Sequence, residues 1–173
     1  MAIWDIKERY KKARANEIRG QRALFGGGST PSASNVIDYI NLSSTGDAID
    51  FGDLSVSRVY LGGASSNTRG LFAGGSAPGL SNVVDALNIA STGDAINFGD
   101  LDAAKNFSVG TSNYQRAVFG GGGEPTIVNT INYFTISTAG DAVDFGDLSV
   151  ARTGVGACSS AHGGLEVFDP TTR

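Results

Sequence analysis

The sequence predicts an all-β body of three four-stranded blades preceded by a short helical arm, and three observations lead there. Segments beginning at Arg22, Arg69 and Arg116 align without insertion at a spacing of 47 residues. Each segment holds short apolar runs separated by Gly, Ser, Thr and Asn, the residues that terminate strands and make turns. Glycine accounts for 25 of 173 residues, while 40% are hydrophobic and only 17% charged, which suits many short strands and argues against disorder. A period of this size with four strands per unit points to propeller-type blades rather than a helical solenoid. One small sheet cannot bury both of its faces, so neighbouring units must cover them.

The elements follow in chain order. Residues 2–19 (AIWDIKERYKKARANEIR) are rich in helix formers and contain no Pro or Gly. Glu8 and Lys12 stand four apart, and Gly20 supplies a stop. Each unit then opens on a strand that runs into glycines: RALFGGG, RGLFAGG and RAVFGGG. A second strand begins at Asn35, Asn82 and Asn129. A turn carrying Gly46, Gly93 or Gly140 leads to a third strand with the phrase IDFGDL, INFGDL or VDFGDL. A basic residue closes each unit at Arg58, Lys105 and Arg152. The fourth strand is made of small residues, VYLGGASS, NFSVGTS and TGVGACSS, as convergence at the centre of a propeller requires. Bulky Tyr39, Phe51, Phe98, Tyr133 and Phe145 belong to the outer strands. Phe51, Phe98 and Phe145 are expected to be equivalent, buried between blades. The domains are therefore an arm over 1–21, blades over 22–165 and a tail over 166–173.

Charge separates the arm from the body. Residues 1–22 carry a net +4 and the remainder −8. Nucleic acid is not an expected partner, because the acidic body repels phosphate. No run approaches the roughly 18 apolar residues of a membrane span, and basic residues interrupt the N-terminus where a signal peptide would be apolar. A single cysteine, Cys158, excludes an intrachain disulfide. Ile3, Trp4, Ile6 and Tyr10 cluster near the start of the arm, and an apolar group on such an arm calls for something to cover it. These residues are the expected docking contacts with a larger assembly.

Catalytic chemistry has few residues to draw on. Cys158 and the one histidine, His162, lie in a Gly/Ser-rich stretch, with no third group to orient a base. The acids Asp47, Asp50, Asp53, Asp94, Asp100, Asp141, Asp144 and Asp147 lack the spacing of a calcium loop, and no metal or cofactor is expected. The first Asp of each set is expected to hydrogen-bond its own turn. The third is expected to pair with the basic residue that closes the unit. The runs GGGS, GGSA and GGGGE lack the Lys-Ser/Thr pair of a phosphate loop.

The repeat resembles the kelch repeat. Glycine doublets Gly26-Gly27, Gly74-Gly75 and Gly120-Gly121 end the first strands, and Leu54, Leu101 and Leu148 precede the closing basic residues. Phe51, Phe98 and Phe145 stand where that family has Trp, so the likeness is to a kelch-like β-propeller. The opening MAIWDIKERY and closing SSAHGGLEVF resemble structural proteins of tailed bacteriophages, especially those of marine cyanobacteria. That resemblance implies a non-enzymatic virion component assembled in the host cytoplasm: a fibre, neck appendage or head decoration. Its partners would be other virion proteins and, if it serves attachment, a host surface glycan. The alternative is a non-viral kelch-like module that binds carbohydrate or protein.

Three blades are too few for a closed ring, since propellers have about four to eight. The first unit has no small-residue strand before it, whereas TGVGACSS from Thr153 has no unit after it. The expected assembly is a homodimer of three blades each, in which this spare strand completes the neighbour's first blade. A trimer is the alternative.

Overall fold

A computed structural model describes residues 22–160, apart from Ala77 and Glu124. Among these residues all regular structure is β. The first sheet has three strands in the order β1 (Arg22–Gly26), β2 (Val36–Asn41), β3 (Ile49–Asp53). The second has four: β4 (Gly62–Ser65), β5 (Arg69–Ala73), β6 (Val83–Asn88) and β7 (Ile96–Asp100). The third repeats it with β8 (Val109–Ser112), β9 (Arg116–Gly120), β10 (Thr130–Thr135) and β11 (Val143–Asp147). Every neighbouring pair is antiparallel. The expected helix over 2–19 and the docking residues Ile3, Trp4, Ile6 and Tyr10 lie outside the described residues, as does the tail.

The sheets are blade-like, each small-residue strand pairing with the first strand of the unit that follows it in the chain. One strand expectation is corrected. The stretch from Thr153 forms no strand, and no strand among the described residues pairs with it. It nonetheless stays in line with its equivalents. The Ser159 hydroxyl donates to the Ser112 carbonyl at 2.6 Å, as the Ser112 hydroxyl donates to the Ser65 carbonyl at 2.6 Å.

Glycine positions set two local shapes. The equivalent glycine pairs are Gly27-Gly28, Gly74-Gly75 and Gly121-Gly122, all at positive φ, so the register falls one residue later than the doublets of the first and third units suggest. In each pair the second amide donates to the carbonyl of the closing basic residue, at 2.9 Å to Arg58, 2.8 Å to Lys105 and 3.0 Å to Arg152. A Cβ on the first glycine would come within 2.6 Å of the same carbonyl oxygen at Arg58. Only glycine allows this fold of the first strand onto the basic segment.

The second shape is a bulge. The β2–β3 register slips between Ile37 and Asp38, leaving Phe51 unpaired between Asp50 and Gly52, and β6–β7 and β10–β11 slip at the equivalent places. Gly52, Gly99 and Gly146 follow the unpaired phenylalanines at φ between 133° and 156°. The bulge re-aims each ring out of its sheet, and Phe51 and Phe98 meet the next unit there.

The cores lie between sheets rather than within them. Ile37, Phe51 and Leu54 meet Phe72, Leu87 and Ile89 across the first junction. At the second junction Val84, Phe98 and Leu101 meet Phe119, Phe134 and Ile136. Phe134 packs edge-on to both Phe98 and Phe119, with ring centroids 6.0 and 5.9 Å apart. The inner strands β4 and β8 approach so closely that a methyl at Gly110 would overlap the Gly63 carbonyl.

The three phenylalanines are not equivalent within the chain. Phe51 and Phe98 are 2% and 4% exposed, but Phe145 is 53% exposed, since no further sheet among the described residues packs against the third. Phe98→Ala should therefore cost about 3–5 kcal/mol in urea denaturation. Phe145→Ala should cost less than about 1 kcal/mol where the chain is monomeric, as an exposed side chain does. Equal losses at both positions in a monomeric chain would contradict this packing.

Candidate functional site

Burying charged groups is expensive unless each finds a partner, so the charged residues in the interior identify where chemistry is concentrated. They lie at the two junctions. Arg58, in the loop after β3, is fully buried against Asp85 of β6. Its Nη2 donates to Asp85 Oδ2 at 2.6 Å, and Nη1 donates to the carbonyls of Gly74 and Val83 at 2.9 and 2.6 Å. The Ser55 hydroxyl donates to Asp85 Oδ1 at 2.6 Å, and the Ser55 amide to Oδ2 at 3.2 Å. Burial lowers the Arg58 pKa from its ordinary value, opposed by the charge and hydrogen bond of Asp85. The guanidinium stays ionised.

The second junction holds the same charges on different residues. Lys105 replaces arginine, Asn132 of β10 stands at the Asp85 position, and Asp102 stands at the Ser55 position. Lys105 Nζ donates to Thr130 Oγ1 at 3.0 Å and Asn132 Oδ1 at 3.1 Å, and meets Asp102 at 2.9 Å. The carboxylate has moved from the following sheet to the preceding loop. One acid and one base therefore remain at each junction. Partial burial pushes the Asp102 pKa up, but the hydrogen bond and charge of Lys105 lead the opposing contacts that hold the carboxyl below its ordinary value.

Two outer contacts repeat across both junctions. Arg22 and Arg69 donate to the carbonyls of Ile89 and Ile136 at 3.0 and 2.6 Å. Asp94 and Asp141 accept from the amides of Asp53 and Asp100 at 3.0 and 3.1 Å. These contacts correct two expectations. Asp94 and Asp141 tie their turns to the preceding sheet rather than to their own backbone. The partner of Arg58 is Asp85, 27 residues on, rather than Asp53. Sequence reasoning missed Asp85 and Asn132. The signal was available as a compensating exchange between Ser55/Asp85 and Asp102/Asn132.

The second candidate surface is aromatic. Tyr60 and Phe107 stack with centroids 4.1 Å apart and an interplanar angle of 25°, and are 55% and 40% exposed. Both adopt left-handed backbone, at φ 60° and 55°, which costs bulky residues about 1–3 kcal/mol each. The Phe107 amide donates to the Tyr60 carbonyl at 2.9 Å, extending a ladder along the inner strands. Tyr60, Leu61, Phe107, Val109 and Val155 line an open depression there. The pair joins apolar ring surface to a phenolic hydroxyl, a combination that suits the flat faces and hydroxyls of a sugar or an extended peptide. An aromatic 47 residues from another was visible in the sequence, but the strained backbone was not.

Among the described residues no group of three or more His, Cys, Asp or Glu converges as a metal centre would require. Cys158 is exposed, and His162 lies outside the described residues. No family model and no curated protein matches this chain.

The Asp102 carboxyl titrates below its ordinary value in the folded chain. Its contribution to stability is complete above the unfolded value of about pH 4 and is lost as pH falls through the lower folded value. Asp102→Asn should therefore be less stable than the parent at pH 7, with the gap narrowing as the pH falls below about 4. Urea midpoints measured across that range check it. A pH-independent gap would show that the carboxylate is not stabilised by its partners.

Proposed function

We propose that this protein is a non-enzymatic structural component of a tailed-phage virion, a fibre, neck appendage or head decoration. Its sheets form part of a kelch-like β-propeller displayed outward, and residues 1–21 dock it to the particle through Ile3, Trp4, Ile6 and Tyr10. The observation that carries this reading is the use made of the buried charges. Arg58, Asp85 and Lys105 are committed to joining one sheet to the next. The ionisable interior groups thus serve construction, as a building block requires. The charge contrast between residues 1–21, at a net +3, and the remainder, at −7, supports a division between anchoring and display.

The second reading, a carbohydrate- or protein-binding module outside any virion, is favoured by the stacked Tyr60–Phe107 pair. Maintaining exposed rings on strained backbone is costly, and a ligand that covers them would offset the cost. In the virion reading the same surface serves host attachment by gripping a surface glycan.

Deleting residues 1–20 should leave a folded body, by circular dichroism, that no longer co-purifies with its particle. Normal incorporation of the truncated chain would refute the docking role. On a glycan array, the parent should bind and the Tyr60→Ala/Phe107→Ala double variant should lose about tenfold or more, as expected for lost aromatic contacts worth about 1.4 kcal/mol. Equal binding by the two proteins would exclude this surface. Presence of the chain in purified particles separates the first reading from the second.

A further inference from the structure

The two ends of the body are the separated halves of one more junction, and the geometry points to a second copy of this chain as the partner that joins them. The side chains of Asp38 and Arg152 make no hydrogen bond or ion pair among the described residues, unlike their equivalents Asp85 and Arg58. Asp38 occupies the Asp85 position on the first sheet, which no earlier sheet among the described residues covers. Arg152 occupies the Arg58 position after the third sheet, which no later sheet among the described residues covers. Ser149 stands at the Ser55 position.

The identity of these residues decides the match. The first junction combines Ser55 and Arg58 with Asp85, and the second combines Asp102 and Lys105 with Asn132. The free ends present Ser149 and Arg152 on one side and Asp38 on the other, the same set as the first junction. Had the last unit carried an acid at the Asp102 position, it would have faced Asp38 and repelled it.

The apolar and backbone groups are matched in the same register. Phe25 is 57% exposed, whereas Phe72 and Phe119, its equivalents inside junctions, are 8% and 1% exposed. Leu42 is likewise exposed where Ile89 and Ile136 are buried. On the opposite end Phe145 is exposed where Phe51 and Phe98 are buried. The Phe51 and Phe98 carbonyls accept from the amides of Gly93 and Gly140 at 2.8 and 2.9 Å. In a junction between copies the Phe145 carbonyl would accept from Gly46. Arg116 would reach the Leu42 carbonyl, as Arg22 and Arg69 reach Ile89 and Ile136. Association is therefore head to tail, with Ser149 and Arg152 of one copy closing on Asp38 of the next. Two such contacts between two copies would make six units, within the usual range for a closed propeller.

The test uses the purified full-length chain and its mass by light scattering, and is independent of any role in a particle. The parent should have a mass that is a multiple of the 17.7 kDa chain. Asp38→Arg alone and Arg152→Asp alone should each give folded monomers, because each opposes like charges across the junction. Mixing the two variants in equal amounts should restore the assembly, since each then supplies the charge that the other's free end requires. Phe145→Glu provides a second disruption away from the ion pair and should also give folded monomers. Single variants that retain the parent's mass, or a folded mixture that stays monomeric, would overturn the proposal. So would a monomeric parent. Lys11 stands 27 residues before Asp38, as Arg58 stands before Asp85. If the parent is monomeric and Lys11→Glu lowers its melting temperature as Asp38→Arg does, residues 1–21 of the same chain cover the first sheet instead.

Discussion

Strands of four to six residues, paired three or four to a sheet, cannot enclose an interior of their own. Each sheet presents apolar side chains on both faces and must place each face against something. Here the answer is the neighbouring sheet, and both hydrophobic clusters lie at sheet-to-sheet junctions. The other structural features serve that contact. The bulge at Phe51 and Phe98 turns the ring out of its own strand and into the gap. The inner strands use Gly63 and Gly110 to bring backbones together. Among the described residues the two outermost faces lack a covering sheet, and Phe25 and Phe145 on them are exposed.

The polar chemistry of the junction adds register to this apolar contact. Apolar faces tolerate sliding, whereas a buried guanidinium does not. Arg58 must find one carboxylate and two carbonyls at once. Replacing the pair with apolar groups could be neutral for stability, but removing one partner would leave a charge in the interior at a cost of about 3–5 kcal/mol. The exchange between the first and second junctions shows what is constrained. The acid moves from Asp85 in β6 to Asp102 in a loop, and the base changes from Arg58 to Lys105. The requirement is one acid and one base per junction, with the remaining hydrogen bonds made by whatever polar group stands opposite.

The aromatic ladder is a by-product of close inner-strand packing that has acquired a surface. Stacking Tyr60 on Phe107 requires equivalent residues of successive units to lie one above the other. The third position of that ladder is Gly154, which takes the same left-handed conformation at φ 64° without a side chain. The aromatic surface therefore stops at two rings, beside the tail-end face where Arg152 is exposed.

The 47-residue period, and the strands it places from Arg22 to Asp147, were determined by the sequence itself. These features are local. Alternating apolar residues and glycines act on the few residues next to them, and repetition makes the signal plain. That no small-residue run precedes the first unit was also legible, because it is a matter of counting. The partners were not. Arg58 and Asp85 meet across 27 residues, and a sequence does not state which face of one sheet will lie against which face of the next. For the same reason Phe51, Phe98 and Phe145 look alike as a series, yet the last is exposed. Burial belongs to the pair of sheets that encloses a side chain, and only the tertiary structure decides which sheets have a neighbour.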